Sequence, residues 1–269
     1  MHPTFFAIGN LTIPTYTLLL DLGVILGLLL AYREGKRALG DGAETLDLAL
    51  WAVVGGIIGG RLGYVLVNWE AFGEDWLRVL RLWEGGLSFH GAFLGGLAAI
   101  ALSARLRGID GGTFLCHLDA LTPGLAVGIA FGWAACLMGG CAYGLVGQGL
   151  GYVILPDLYG VHASRFATQV VGLVFALLLL GIWRLRKRQP FAGAAFLTYG
   201  LLYFAGQFFL EFSRGDEALY LGPLRLAQVL DLIFVLAAAT GLLLLRTEAQ
   251  QDGQTEEGHD SVLDQHPSG

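Results

Sequence analysis

The chain has 269 residues, of which 55% are hydrophobic and 14% charged, and a formal net charge of −6. Its mean hydropathy of +0.63 and its low charge content, against about 25% in an ordinary soluble domain, exclude a soluble fold. The apolar runs are continuous instead of alternating, so a β-barrel does not fit, and no nucleic-acid partner is expected.

Each bilayer span needs roughly 20 apolar residues to cross about 30 Å of hydrocarbon. The chain therefore predicts an all-α, polytopic membrane protein of about seven transmembrane helices, at about 15–32, 46–67, 89–104, 115–138, 166–184, 192–212 and 225–245. Its 41 glycines suit helices that approach closely through small residues, because lipid offers no hydrophobic drive for helix association. No internal repeat stands out. No cleavable signal peptide is expected, since the first residues lack a basic region and the first apolar stretch is long enough to remain as a span.

Helix 1 opens with Pro14-Thr15-Tyr16, which puts a phenol near one membrane surface, as an interfacial anchor or a pocket residue. Helix 2 carries Arg61 within Gly59-Gly60-Arg61-Leu62-Gly63-Tyr64. A guanidinium in hydrocarbon costs at least ~2.5–3.5 kcal/mol, so Arg61 is expected to meet a lipid headgroup, to snorkel outward, or to pair with Asp21 or Asp47. In loop 67–88, Trp69, Trp76 and Trp83 recur every seven residues, with Phe72, Leu77 and Leu80 between them. That pattern predicts an amphipathic helix lying in the interface, with a packed surface loop as the alternative.

The loop ends in Trp83-Glu84-Gly85-Gly86-Leu87-Ser88-Phe89-His90-Gly91, which delivers His90 to the mouth of helix 3. A neutral imidazole accepts a proton near pH 7, and a helix N-terminus favours anions. His90 is thus a candidate to deprotonate a thiol or bond a phosphate oxygen, against the alternative of a satisfied structural histidine. In helix 6, Gln207, Glu211 and Arg214 share one face, where the carboxylate can hold the arginine toward a pocket or simply form a helix-end ion pair. Beyond Arg246, Glu248, Asp252, Glu256, Glu257, Asp260 and Asp264 accumulate among polar residues. They predict a disordered acidic tail over 247–269 behind a membrane domain over 1–246.

Basic residues follow helix 1 (Arg33, Lys36, Arg37), helix 3 (Arg105, Arg107), helix 5 (Arg184, Arg186, Lys187, Arg188) and helix 7 (Arg246), whereas the opposite ends carry fewer. The N-terminus is therefore expected outside and the C-terminus in the cytoplasm.

Taken in order, several motifs resemble those of the prolipoprotein diacylglyceryl transferases: Pro14-Thr15-Tyr16, GGRLGYVL at 59–66, WEGGLSFHG at 83–91, DALTP from Asp119 to Pro123, His162-Ala163-Ser164, and Glu211-Phe212-Ser213-Arg214. The resemblance implies a seven-helix, multi-pass protein of the bacterial inner membrane. It implies transfer of the diacylglyceryl group of phosphatidylglycerol to the cysteine thiol of a lipoprotein signal peptide, with release of glycerol-1-phosphate. Phosphatidylglycerol, lipoprotein signal peptides and membrane lipids are the expected partners, and no cofactor or metal is expected. By the same resemblance, His90 and Tyr16 are the catalytic candidates. Arg61, Glu211 and Arg214 match positions that line or brace the cavity, and Arg165 is a further candidate for the substrate.

The chain also departs from that family. The helix-4 signature Gly-Arg-x-Gly-Asn-Phe-x-Asn-x-Glu is replaced by Gly132-Trp133-Ala134-Ala135-Cys136-Leu137-Met138-Gly139-Gly140-Cys141. Trp133 thus stands for a headgroup-binding arginine, Cys136 and Gly139 for asparagines, and Cys141 for a glutamate. Gln207 replaces a second arginine, and Ala167 and Thr168 replace a Tyr-Glu pair. Three cysteines are too few for a disulfide scaffold. Cys136 and Cys141 are read as small packing residues, an outward-facing disulfide, or a reactive or metal-binding pair with His90. The competing functions are another lipid-group transferase and a non-catalytic lipid- or signal-peptide-binding protein.

Overall fold

The computed structural model describes residues 4–8, 11–73, 75–185 and 190–264. Its helices are α1 (Thr15–Leu39), α2 (Gly42–Val67), α3 (Phe89–Leu106), α4 (Gly111–Gly139), α5 (Thr168–Leu185), α6 (Ala194–Leu210) and α7 (Leu226–Asp264). Among the described residues, six are long and apolar enough to cross a membrane, and α5 is a shorter apolar helix. The protein is therefore a polytopic, all-α membrane protein. Short antiparallel hairpins decorate it: β1 (Thr4–Ile8) with β2 (Leu11–Pro14), β3 (Tyr152–Pro156) with β4 (His162–Phe166), and β5 (Tyr220–Leu221) with β6 (Leu224–Arg225).

Capping residues fix several helix starts. Asp41 accepts from the amides of Ala43 and Glu44, and Asp110 from that of Thr113. Each satisfies amides that the first turn leaves unpaired. For this reason α2 and α4 begin about a turn earlier than hydropathy alone predicts. α6 begins after Gly193, which has no side chain to cap it. Asp119, projecting from α4, instead accepts from the amides of Gly193 and Phe196, both at 2.9 Å.

α4 is the central helix: 44% of its most apolar window is buried, the largest share of any candidate span. It packs against α1, α5 and α6. α2 and α3 form a second close pair. A methyl group on Gly59 would collide with the backbone of Gly91 and Gly95, so these small residues let the two helices touch through their main chains.

One expectation is corrected. Loop 67–88 is not one interfacial α-helix but three short 3₁₀ turns, Trp69–Phe72, Trp76–Leu80 and Leu82–Glu84. The carbonyls of Arg78, Val79 and Arg81 all accept from the Arg61 guanidinium, those of Arg78 and Arg81 in addition to a backbone amide three residues on. Loop 139–165 contains the β3–β4 hairpin. And α7 runs unbroken past residue 245 to Asp264, so the backbone of the acidic segment is helical as far as it is described. Extending an existing helix needs no new nucleus, and Glu and Gln are good helix formers.

Candidate active site

Gly85 and Gly86 have φ of +81° and +82°, and a methyl group on Gly86 would strike the Tyr64 ring. This left-handed pair turns the chain sharply into α3. Ser88 then caps α3, accepting from the Gly91 amide, and His90 follows in the first turn. Its imidazole lies nearly parallel to the Phe234 ring, 6.0 Å between centroids, and against Phe204 at 6.3 Å. His90 Nε2 is 2.8 Å from Oδ1 of Asp231 on α7, which is 1% exposed. The other carboxylate oxygen of Asp231 is buried without a partner.

Glu211 and Arg214, just past α6, lie close enough to Asp231 to act on it electrostatically. Arg214 Nη1 donates to Glu211 at 2.5 Å and Nη2 to Asp216. Arg225 Nη1 donates to the other Glu211 oxygen at 3.0 Å, and its Nη2 to the Asp216 backbone carbonyl. Two guanidinium groups and two carboxylates therefore form one charge-balanced cluster. Burial opposes charge on Asp216, but the hydrogen bond and charge of Arg214, with the charge of Arg225, hold its carboxyl below the usual range. Burial likewise opposes the Arg214 charge, yet Asp216 and Glu211 outweigh it and raise its pKa.

Arg61 is 5% exposed and lies outside this cluster. It pairs with neither Asp21 nor Asp47; Asp47 is taken by Arg107 at 2.9 Å. Instead it donates to five backbone carbonyls, those of Arg78, Val79, Arg81, Gly85 and Gly86, at 2.5–3.2 Å, and lies 5.3 Å from the Phe72 ring centroid. The expected headgroup cation is a clamp on the loop that delivers His90. Five oriented carbonyl dipoles satisfy a guanidinium without a counter-ion.

Arg165 is similarly occupied. It donates to Asp157 at 2.8 Å across the β3–β4 hairpin and covers the Tyr143 ring at 4.6 Å. The segment 143–147 runs between the Arg165 strand and the Arg214 turn. Gly215 donates to Tyr143, Leu145 to Ser213, and Phe166 to Leu145.

Tyr16 packs on the end of α4, where a methyl group on Gly139 would strike its ring. Cys136 and Cys141 form a disulfide across the end of α4. This selects one of the three readings and removes the thiols that a reactive or metal-binding pair would need. Trp133 is 7% exposed in the core cluster with Tyr199, Tyr203 and Phe204. An indole thus fills the volume where the resemblance places a cation. Beside it lies a small apolar cavity of about 10 Å³ lined by Phe89, Phe93, Leu125, Ile129, Tyr203 and Phe204.

His90, Glu211 and Arg214 are thus brought to one region, with Tyr16 at the α4 end and Arg61 and Arg165 as braces. Asp231, Asp216 and Arg225 were missed as site residues. Asp231 carries a signal, an acid inside an apolar run of helix 7; Arg225 reads in sequence as one more loop charge.

Bilayer-length helices around a half-buried histidine and an arginine–carboxylate cluster define a polytopic membrane protein with a polar site built at one end of the bundle. The prolipoprotein diacylglyceryl transferase family model matches residues 3–244. The chain is 34% identical over 262 residues to a phosphatidylglycerol–prolipoprotein diacylglyceryl transferase of Gloeobacter violaceus, covering 93% of this chain and 95% of that protein. It is 32% identical over 238 residues to the protein of that name in Clostridioides difficile, covering 88% and 92%, and 33% identical over 254 residues to that of Synechococcus elongatus, covering 90% and 86%. The chain belongs to the prolipoprotein diacylglyceryl transferase family.

Proposed function

We propose that this protein transfers the diacylglyceryl group of phosphatidylglycerol to the cysteine thiol of a lipoprotein signal peptide. It does so in a bacterial inner membrane, with the site toward the outer face, the N-terminus outside and the acidic segment from residue 247 inside. The observation that carries this reading is His90, set by the Gly85-Gly86 turn into the first turn of α3 beside the arginine–carboxylate cluster.

His90 takes the thiol proton, because the thiolate is the nucleophile. The sulfur attacks the glycerol carbon esterified to phosphate; the C–S bond forms as that C–O bond breaks, and glycerol-1-phosphate leaves with the electron pair. Developing charge on the phosphate is met by oriented donors. Arg214, 23% exposed in its side chain and fixed by two carboxylates, is the cation closest to that task, and the Tyr16 phenol adds a neutral donor. Arg61 and Arg165 act at one remove, by holding the loop and the hairpin that frame the site.

One observation favours a second reading. The guanidinium groups of the cluster are matched by carboxylates, and Trp133 adds none. Such a site suits a lipid with a less charged leaving group, or lipid binding without transfer. Expression in cells depleted of their own transferase, followed by mass spectrometry of a lipoprotein, separates the readings. Diacylglyceryl-modified lipoprotein is expected. Unmodified prolipoprotein, despite confirmed membrane expression, would support the second reading.

A further inference from the structure

The pair formed by His90 and Asp231 joins residues 141 positions apart. Asp231 sits on α7 among Leu230, Leu232 and Ile233, is 1% exposed, and spends one oxygen on the imidazole while the other has no partner. Burying a carboxylate this way is costly unless it is matched by charge or hydrogen bonds. Among the described residues, the charged groups in electrostatic reach of it are His90 on α3 and Glu211 and Arg214 past α6, with the Tyr203 phenol on α6 nearby. Glu211 and Arg214 are already engaged with each other. His90 is the group in direct contact.

We propose that Asp231 is a positioning residue for His90, holding its Nε2–H and thereby leaving Nδ1 as the atom that accepts the proton of the acceptor thiol. The proposal rests on the reading of His90 as the base. The geometry supplies three effects. The carboxylate fixes the tautomer, since a hydrogen bond at one ring nitrogen decides which nitrogen is free to accept. The rings of Phe204 and Phe234 flank the imidazole, so the hydrogen bond and the packing together set its orientation. When Nδ1 takes the thiol proton, the imidazolium faces a carboxylate that had lacked a counter-charge. The charged pair is then better matched than the resting pair, and the stabilisation is realised as proton transfer proceeds.

The test uses the full-length protein in phosphatidylglycerol nanodiscs with a lipobox peptide. In protein labelled with ¹⁵N-histidine, the His90 signal, assigned by its loss in His90→Gln, is expected to show Nε2 protonated and Nδ1 free while the ring is neutral. A proton on Nδ1 overturns the proposal, and this arm needs neither turnover nor a variant at residue 231. In the kinetic arm, Asp231→Asn is expected to lower kcat on the order of 10²-fold with little change in peptide KM. Because the variant removes the charge that favours imidazolium, the acidic limb of kcat/KM should move to lower pH by about one unit. Asp231→Glu should restore part of that shift, which a purely structural role would not. A folded Asp231→Asn enzyme with the wild-type rate and acidic limb overturns the proposal. Full activity in His90→Gln would sink the base reading instead, whatever the tautomer.

Discussion

Arg61→Met tests the most connected side chain in the membrane part. Methionine keeps much of the apolar stem but removes every donor to five carbonyls, of which those of Arg78 and Arg81 keep a backbone amide. A hydrogen bond to a charged group contributes about 1.5–3 kcal/mol, yet five such values cannot be summed, because the acceptors share one short loop that relaxes as a unit. The exposed Trp69, Trp76 and Trp83 mark water or headgroups within reach of that relaxed loop. A loss of about 3 kcal/mol in loop closure is therefore expected, the low end for removing one partner of a buried charged contact. Trypsin reads this directly. Two of the clamped carbonyls belong to Arg78 and Arg81, so the peptide bonds that trypsin would cut are held by Arg61. With the loop opening and reclosing faster than trypsin cuts, 3 kcal/mol corresponds to cutting at Arg78 and Arg81 faster by about 10²-fold. Arg61→Lys keeps the charge but loses the planar fork, and should fall between. Transfer activity should drop in parallel, because the same loop delivers His90. Cleavage rates in Arg61→Met within twofold of wild type would refute the clamp.

Further outcomes follow from other contacts. Under non-reducing denaturation, alkylation should label Cys116 alone, and replacing both Cys136 and Cys141 by alanine should cost about 2 kcal/mol for so short a loop; labelling at either position refutes the disulfide. Glu211→Gln leaves two guanidinium groups facing one carboxylate and should destabilise the protein by about 3–5 kcal/mol, read as a lower unfolding temperature in detergent. The Asp216 carboxyl lies below its unfolded pKa of about 3.9, so the unfolded chain binds more protons in the window between the two values. Its contribution to stability is present above pH ~4 and fades as pH falls through the lower folded value. Thermal unfolding between pH 6 and pH 3 should show this dependence in wild type and a shallower one in Asp216→Asn. Trp133→Arg places a guanidinium among Tyr199, Tyr203 and Phe204 and should destabilise by about 3–5 kcal/mol, instead of restoring a phosphate ligand.

Local physics was legible in the sequence, whereas long-range pairing was not. The spans, the Gly85-Gly86 turn and the placement of His90 at a helix mouth follow from hydropathy and from residues within one turn of each other. The starts of α2 and α4 were legible too, in Asp41 and Asp110, but capping has to be weighed against hydropathy to see them. Asp119, in contrast, caps a helix more than 70 residues away. No periodicity encodes that. The same holds for Arg61: its spacing announces a costly charge, but the sequence offers carboxylates as the obvious partners, and a loop able to present five carbonyls exists only once the chain has folded. Asp231 and Arg225 lie outside the motifs that carry the resemblance, and their meaning appears when α7 is laid beside α3 and the end of α6.

The arginine–carboxylate cluster makes opposing demands on one residue. Asp216 neutralises Arg214 and Arg225 and so stabilises the fold, but the same charge opposes the approach of an anionic phosphate. Asp216→Asn removes a unit of negative charge and leaves the cluster with a net positive one. At an assumed separation of ~6 Å and an effective dielectric of ~20, a unit charge acts on a phosphate with about 2–3 kcal/mol. Arg214 is partly exposed, and screening reduces this to about 1 kcal/mol, or roughly a fivefold change in affinity. The variant should therefore unfold at lower temperature yet show a KM for phosphatidylglycerol reduced about fivefold, with the gain shrinking as salt is added. Rates on phosphatidylglycerol nanodiscs diluted with a neutral lipid supply the measurement. An unchanged donor KM in folded Asp216→Asn would mean that the phosphate does not meet Arg214, and would shift the weight to neutral donors such as Tyr16.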